Sequence, residues 1–227
     1  MEDLKVPTSK KRTLWFTIVN AFLFLTTIIV TYITLRYGTV AGQVDTNVEQ
    51  GWFYIVTFTV QSNIFLGVIA FVGMIFGLLN LKKNKPIPHA LLTWYLVASS
   101  AAMLTAFTVI FFLAPARAVL GRNYFDMLLG PMFFFHFFNP FLSAAALIYL
   151  TPSTKLTKKD RLFALLPPFL YAIPYILNVA ILHTWYDFYG FTFGGNNWAI
   201  LPVFTVISLV TFGIASLLAY LHNHRRK

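Results

Sequence analysis

The chain has 227 residues, of which 58% are hydrophobic and 11% are charged. Soluble domains have roughly a quarter of their residues charged, so this composition excludes a soluble globular protein. The formal net charge is nevertheless +10, and a basic excess on an apolar chain is more typical of a membrane protein than of a nucleic-acid-binding protein. The absence of Cys excludes disulfides, thiolate nucleophiles and Cys-ligated metals.

Six apolar segments are each long enough to cross a bilayer, which takes about 20 helical residues. We therefore predict an all-α integral membrane protein with a single domain over residues 1–227, folded as a six-transmembrane-helix bundle. The spans are predicted at about residues 14–35, 54–80, 89–113, 127–150, 162–182 and 198–221. The first segment follows basic residues as a signal peptide does, but its apolar run is too long for a cleaved one, so we expect a retained helix.

The Lys and Arg residues predict the orientation. Fourteen of the 17 fall in the N-terminal segment, the second and fourth loops and the C-terminal tail, which all lie on one side. Arg36, Arg117 and Arg122 fall on the other side. Because positive charge is retained in the cytoplasm, both termini are predicted to be cytoplasmic.

Polar side chains are costly in hydrocarbon, so their positions carry the functional signal. In the second span, Thr59, Ser62 and Asn63 share one helical face at spacings of three and four residues. Gly73 and Gly77 form a small-xxx-small pair deeper in the same span, which predicts close helix packing. The second span therefore combines a candidate polar site with a packing surface.

The fourth span carries a second polar stripe, with His136, Asn139 and Ser143 on one face. His136 is the only His well inside a predicted span, and a buried imidazole needs a partner for its N–H group. Gln61, on another face of the second span, and Asn178 in the fifth span are further candidates for substrate-binding or supporting contacts. We expect a polar pocket between the second and fourth spans, in their outer half.

These residue types supply the minimum for nucleophilic catalysis. A hydroxyl is a weak nucleophile until a base removes its proton, so Thr59 or Ser62 would attack and His136 would be the general base. Asn63 or Asn139 could orient the imidazole or donate to an oxyanion. One His without carboxylates is a poor metal site, and no cofactor is expected. A substrate entering from the bilayer would be an ester or amide of a fatty acid.

The six-span layout, the Thr early in the second span and the lone His in the fourth resemble the androgen-induced-gene / androgen-dependent tissue-factor-pathway-inhibitor-regulating family. Members of that family are transmembrane threonine hydrolases of fatty acid esters of hydroxy fatty acids. The segment from Phe58 to Asn63 is similar to the family's bacterial six-span relatives. The resemblance implies Thr59 as the nucleophile, His136 as its base and a bacterial cytoplasmic membrane as the location. Gln-Ser-Asn follows at positions 61–63, so Ser62 remains a second candidate nucleophile.

Each polar residue also has a structural interpretation. Thr and Ser in membrane helices commonly bond to their own backbone, and Asn side chains commonly link helices. The alternative function is a non-catalytic membrane protein that binds or transports a small amphiphile, and a purely structural role needs no pocket. Membrane lipids and a lipid-like small molecule are the expected partners, and no nucleic acid is expected.

Overall fold

A computed structural model of the protein describes residues 9–37, 51–151 and 154–225. Within these residues the chain is helical and has no strand. Six helices are long and apolar enough to cross a membrane, which confirms the predicted number of spans. They are α1 Lys10–Tyr37, α2 Phe58–Lys83, α3 His89–Val119, α4 Pro131–Tyr149, α5 Lys158–Ile181 and α6 Asn197–His224. Lys5, Arg226 and Lys227, which are among the fourteen basic residues of the orientation prediction, lie outside what the structure describes.

The helices run up and down, so that their ends form two faces. Arg12 at the start of α1 donates to the carbonyl of Thr151 just after α4, and Asn223 at the end of α6 accepts from the Leu156 N–H just before α5 at 3.0 Å. We call the face with these contacts the basic face. Its described cations are Lys10, Lys11, Arg12, Lys82, Lys83, Lys85, Lys155, Lys158, Lys159, Arg161 and Arg225. The other end of the bundle is called the opposite face below.

A carboxylate ties α3 to α5 on the basic face. Asp160 completes a capping box with Thr157 at the start of α5, which satisfies free N–H groups of that helix end. Its Oδ1 atom also accepts from the Thr93 hydroxyl at 2.6 Å and lies 3.1 Å from His89 Nε2, both on α3. The Asp160 carboxylate therefore links the start of α5 to Thr93 and His89 of α3.

Glycines of α2 let α1 pack closely against it. A Cβ atom at Gly73 would lie 2.9 Å from Asn20 Oδ1, and one at Gly77 would overlap the Thr17 hydroxyl. Thr17 and Asn20 turn their own hydrogen-bond donors back to carbonyls of α1, so their polar atoms can pack against a neighbouring helix. The predicted packing role of the two glycines is confirmed.

Several helix boundaries differ from the prediction. The α2 helix starts at Phe58 because residues Gly51–Val56 form a 3-10 helix, and α3 extends to Val119. Three spans contain a π-helical segment in the half near the opposite face, at Val109–Leu113, Phe134–Phe138 and Leu177–Ile181. Each segment lies within three residues of a proline, namely Pro115, Pro140 and Pro174 in turn. Proline lacks an N–H group and disrupts the α-helical ladder, which favours such a local change.

Replacing Gly77 by Ala tests the α1–α2 contact. The new methyl group would overlap Thr17, so we expect Gly77→Ala to lower the free energy of unfolding by about 1–3 kcal/mol, as overpacking does. The matched control is Gly213→Ala in α6, where an added Cβ atom has no neighbour within 4 Å. Thermal unfolding of both variants in detergent, followed by circular dichroism, compares them. Equal stability of the two variants would contradict the close approach.

Candidate functional site

A cavity of about 140 Å³ lies near the opposite face, between α2, α3, α4 and the loop that leads into α6. Thr59 and His136 both line it, so the structure brings these two predicted residues to one space. Its polar lining residues are Tyr54, Thr57, Thr59, Arg117, His136, Tyr186 and Tyr189. The cavity thus contains the predicted hydroxyl and imidazole together with an Arg and three Tyr residues.

His136 lies on the π-helical segment of α4 and is 4% exposed. Its Nδ1 atom is 2.6 Å from the carbonyl oxygen of Met127, in the 3-10 helix Tyr124–Leu128. A carbonyl can only accept, so Nδ1 is the nitrogen that carries the hydrogen. In the neutral ring the free lone pair is therefore on Nε2. This is the tautomer in which Nε2 can act as a general base while the Nδ1–H group is held by a hydrogen bond.

Thr59 is the second residue of α2. The helix N-terminus is capped twice, because Thr57 Oγ1 accepts from the Val60 N–H at 3.4 Å and the Tyr189 hydroxyl accepts from the Phe58 N–H at 2.9 Å. The first turn of a helix carries the positive end of its dipole. A negative charge that develops at the Thr59 oxygen is therefore stabilised by the position of this residue.

Tyr189 is the neighbour of Thr59 in the cavity wall. Its hydroxyl makes hydrogen-bond contact with the Thr59 side chain as well as with the Phe58 N–H. Burial raises the pKa of Tyr189 to about 12, although the hydrogen bonds from Phe58 and Thr59 act in the other direction. The phenol therefore keeps its proton at neutral pH and is a potential donor beside Thr59.

Asp187 organises the loop that carries Tyr189. Its carboxylate accepts from the Phe191 N–H at 2.9 Å, from the Thr192 N–H and hydroxyl at 2.7 Å each, and from the Tyr175 hydroxyl of α5. Partial burial raises the pKa of Asp187, but these hydrogen bonds outweigh it and hold the pKa below its usual range. The ionised Asp187 therefore stabilises the loop in the position that places Tyr189 over the start of α2.

The depressed pKa of Asp187 predicts a pH dependence. A group with a lowered pKa in the folded state contributes its full stability above its unfolded pKa of about 4, and the contribution is lost as the pH falls through the folded value. We expect Asp187→Asn to cost about 1 kcal/mol at pH 7, after allowance for its partial exposure, and to reduce the loss of stability seen below about pH 4.

Unfolding midpoints of wild type and Asp187→Asn at pH 7 and pH 3 measure this effect. Asp126→Asn, on the same face but outside this set of bonds, is the control. Equal unfolding midpoints of wild type and Asp187→Asn at pH 7 would show that the carboxylate does not stabilise the loop.

Ser62 and Asn63 link helices. The Ser62 hydroxyl lies 2.9 Å from Thr105 Oγ1 of α3 and donates to the Thr59 carbonyl at 3.1 Å. Asn63 Nδ2 donates to the Thr59 carbonyl at 2.9 Å and to the Phe135 carbonyl of α4 at 3.2 Å. Neither Ser62 nor Asn63 is among the described residues that line the cavity of Thr59 and His136.

The other predicted supporting residues lie elsewhere. Asn139 accepts from the Thr26 hydroxyl at 3.0 Å and so joins α4 to α1. Gln61 is exposed and donates to a carbonyl just before α2 at 3.0 Å. Asn178 accepts from the Thr184 hydroxyl at 2.6 Å at the end of α5. None of these three side chains is among the described residues that line the cavity.

Three residues of the site were missed in the sequence. Arg117 was assigned to a loop because the third span was predicted to end at position 113, whereas α3 continues through it. Tyr189 and Met127 come from loops, and their contacts with Thr59 and His136 join positions far apart in the chain. The one available signal is that an ionisable residue inside a span usually serves a site, and it applies to Arg117 only once α3 is known to extend past it.

Two further spaces lie between Thr59 and the outer surface of the bundle. A cavity of about 30 Å³ is lined by Thr59 and Tyr189 on one side and by Thr108 and Ile207 on the other. Thr108 and Ile207 also line a groove of about 720 Å³ between α3 and α6. Apart from Thr108, the described residues of the groove wall are apolar: Leu104, Phe107, Phe111, Phe112, Phe191, Phe193, Pro202, Val203, Val206, Ile207 and Val210. The three spaces therefore share wall residues in series: Thr108 and Ile207 between the groove and the small cavity, and Thr59 and Tyr189 between the small cavity and the cavity of His136.

Comparison of the chain with family models, with curated proteins and with solved structures finds no match. Within the described residues, no three His, Asp or Glu side chains are grouped so that they could hold a metal ion. The candidate site therefore depends on geometry: Thr59 and His136 lie on the wall of one cavity, and an apolar groove between α3 and α6 lies nearby.

Proposed function

We propose that this multi-pass membrane protein is an intramembrane hydrolase or acyltransferase that acts on a lipid-like ester, with Thr59 as nucleophile and His136 as general base. The observation that carries the proposal is that the two side chains line the same cavity. The Nδ1 contact of His136 with Met127 adds support, because it leaves the lone pair on Nε2. The resemblance to the threonine hydrolase family remains a prediction from the sequence.

The proposed reaction has two steps. In the first, Thr59 Oγ attacks the ester carbonyl while Nε2 of His136 takes the hydroxyl proton, and the imidazolium then protonates the departing alkoxide. In the second, His136 takes a proton from water, or from an acceptor alcohol, as its oxygen attacks the acyl-threonine. The imidazolium then returns the proton to the departing Thr59 oxygen, and the acid or a new ester is released. Tyr189 and the N-terminus of α2 are the nearby groups that favour negative charge on the carbonyl oxygen.

The apolar groove between α3 and α6 supports a lipid-like substrate. A molecule in the bilayer has direct access to the groove, and the walls formed by Thr108 and Ile207 continue into the space beside Thr59. The polar cavity is limited in size at about 140 Å³, so it suits the ester group rather than the whole lipid. We therefore propose that the acyl chain stays in the groove while the ester reaches Thr59.

We also propose that both termini are cytoplasmic and that the membrane is a bacterial cytoplasmic membrane. The clustering of Lys and Arg on the basic face supports this orientation. The site near the opposite face then lies in the outer leaflet.

Substitution of the two proposed catalytic residues tests the reaction. We expect Thr59→Ala and His136→Ala each to lower hydrolysis of a fluorogenic long-chain ester by about 100-fold or more, because they remove the nucleophile and its base. Labelling by a fluorophosphonate probe should be lost in Thr59→Ala. Ser62→Ala is the matched control, since this hydroxyl is bonded to Thr105, and it should retain most activity.

The same variants distinguish the hydrolase from a protein that only binds or transports an amphiphile. The large apolar groove is compatible with this second function as well. A protein that only binds or transports an amphiphile should retain a bound fatty acid ester in Thr59→Ala and should show no turnover in the wild type. Turnover or labelling that survives both Thr59→Ala and His136→Ala would remove the proposed mechanism. Loss in Ser62→Ala alone would transfer the nucleophile to that residue.

Blocking the groove tests the route of the substrate. We expect Ile207→Trp, at the junction of the groove and the inner cavity, to lower turnover of a long-chain ester at least tenfold more than turnover of an acetyl ester. Leu209→Trp is the control, because Leu209 is 67% exposed on the same helix and does not line the groove in the described structure. Equal effects of Ile207→Trp on the two esters would contradict entry through the groove.

A further inference from the structure

A second pocket, distant from Thr59, lies on the basic face between the start of α5 and the end of α6. Its volume is about 480 Å³. The described residues that line it are Lys155, Leu156, Thr157, Lys158, Arg161, Ser216, Ala219, Tyr220, Asn223 and His224. We call it the basic pocket, because it brings three cationic side chains and a His to one concave surface.

The charge of this pocket is strongly positive. Lys155, Lys158 and Arg161 line it, and Asp160 is the adjacent acidic residue. The carboxylate of Asp160 is occupied by the Thr157 capping box and by the α3 residues Thr93 and His89, and it is not part of the described lining. The pocket therefore attracts an anion.

The wall formed by α6 is well defined. His224 Nδ1 donates to the Tyr220 carbonyl at 3.0 Å, and the two rings lie with their centroids 3.8 Å apart and their planes tilted by 34°. Asn223 accepts from the Leu156 N–H at 3.0 Å and donates to the Leu156 carbonyl at 2.8 Å, which fixes the connecting segment against α6. The two hydrogen bonds between Asn223 and Leu156 therefore hold the segment that carries the cations against the aromatic wall of α6.

Ser216 gives the pocket an unused polar atom. Its hydroxyl oxygen is buried and has no hydrogen-bond partner among the described residues, whereas Ser208 and Thr211 of the same helix donate to their own backbone. A buried hydroxyl that is left unpaired costs free energy, and among the described residues with such an atom Ser216 is the one that lines the basic pocket, where a ligand would satisfy it. Ser216 and Ala219 lie farther from the end of α6 than Asn223 and His224, and they form the side of the pocket that is away from the helix end.

We propose that the basic pocket binds an anionic phospholipid, with the phosphate against Lys158 and Arg161 and the glycerol ester region against Tyr220 and Ser216. The position at the end of two spans is that of a lipid headgroup, and basic pockets between membrane helices suit such groups. Arg and Lys are the side chains that bind phosphate best. This proposal is independent of the reaction at Thr59.

Native mass spectrometry of the full-length protein in detergent tests the proposal. Wild type titrated with phosphatidylglycerol should retain this lipid at least fivefold better than phosphatidylcholine. The double variant Lys158→Gln/Arg161→Gln should lose this preference and bind phosphatidylglycerol more than tenfold weaker, because each basic residue near an anionic headgroup contributes about fivefold. Lys82→Gln/Lys83→Gln, which removes equal charge at the end of α2 on the same face, should bind as wild type does.

Ser216→Leu separates a formed pocket from general surface charge. This change fills the apolar side of the pocket and leaves the net charge unchanged, so retention of phosphatidylglycerol should fall at least fivefold. Circular dichroism confirms that each variant is folded. Equal losses in both charge variants, or full retention in Ser216→Leu, would overturn the proposal. Displacement of bound phosphatidylglycerol by millimolar inorganic phosphate would reassign the pocket to a soluble phosphate.

Discussion

The lack of hydrogen-bonding partners in hydrocarbon is the constraint on which this structure depends. A polar side chain in a span is costly unless it bonds to its own helix or to a neighbouring one. Asn63 bonds across to α4, Ser62 to α3, and Asn139 accepts from α1. These bonds hold four helices around a common centre. Thr59 and His136 differ from the linking residues because both line a cavity.

That cavity lies where regular helix geometry stops. The walls at Val109, Leu113 and His136 belong to π-helical segments, and Thr59 is in the first turn of α2. A π segment has one extra residue per turn, so the helix on either side of it cannot keep a continuous packing stripe. Proline residues next to these segments create the irregularity.

The sequence predicted the architecture well but the site only in part. Length and hydropathy fix the number of spans, because a bilayer demands about 20 apolar residues from each. Spacing on one helix identified Thr59 and His136 as polar candidates. It grouped Ser62 and Asn63 with Thr59, although a helix turns each side chain toward a different neighbour. The contacts of Tyr189 and Met127 depend on loops folded back over the bundle, and no local pattern encodes such distant pairs.

The bond between Met127 and His136 couples an extramembrane segment to the interior of the bundle. The imidazole lies in a span, but the oxygen that orients it belongs to a short connector whose other residues are half-buried or, in the case of Phe125, exposed. Amino-acid changes in connectors are tolerated more readily than changes in packed spans. Evolution could therefore retune the basicity of the ring, or detach it altogether, by altering this connector while every membrane-embedded residue stays the same.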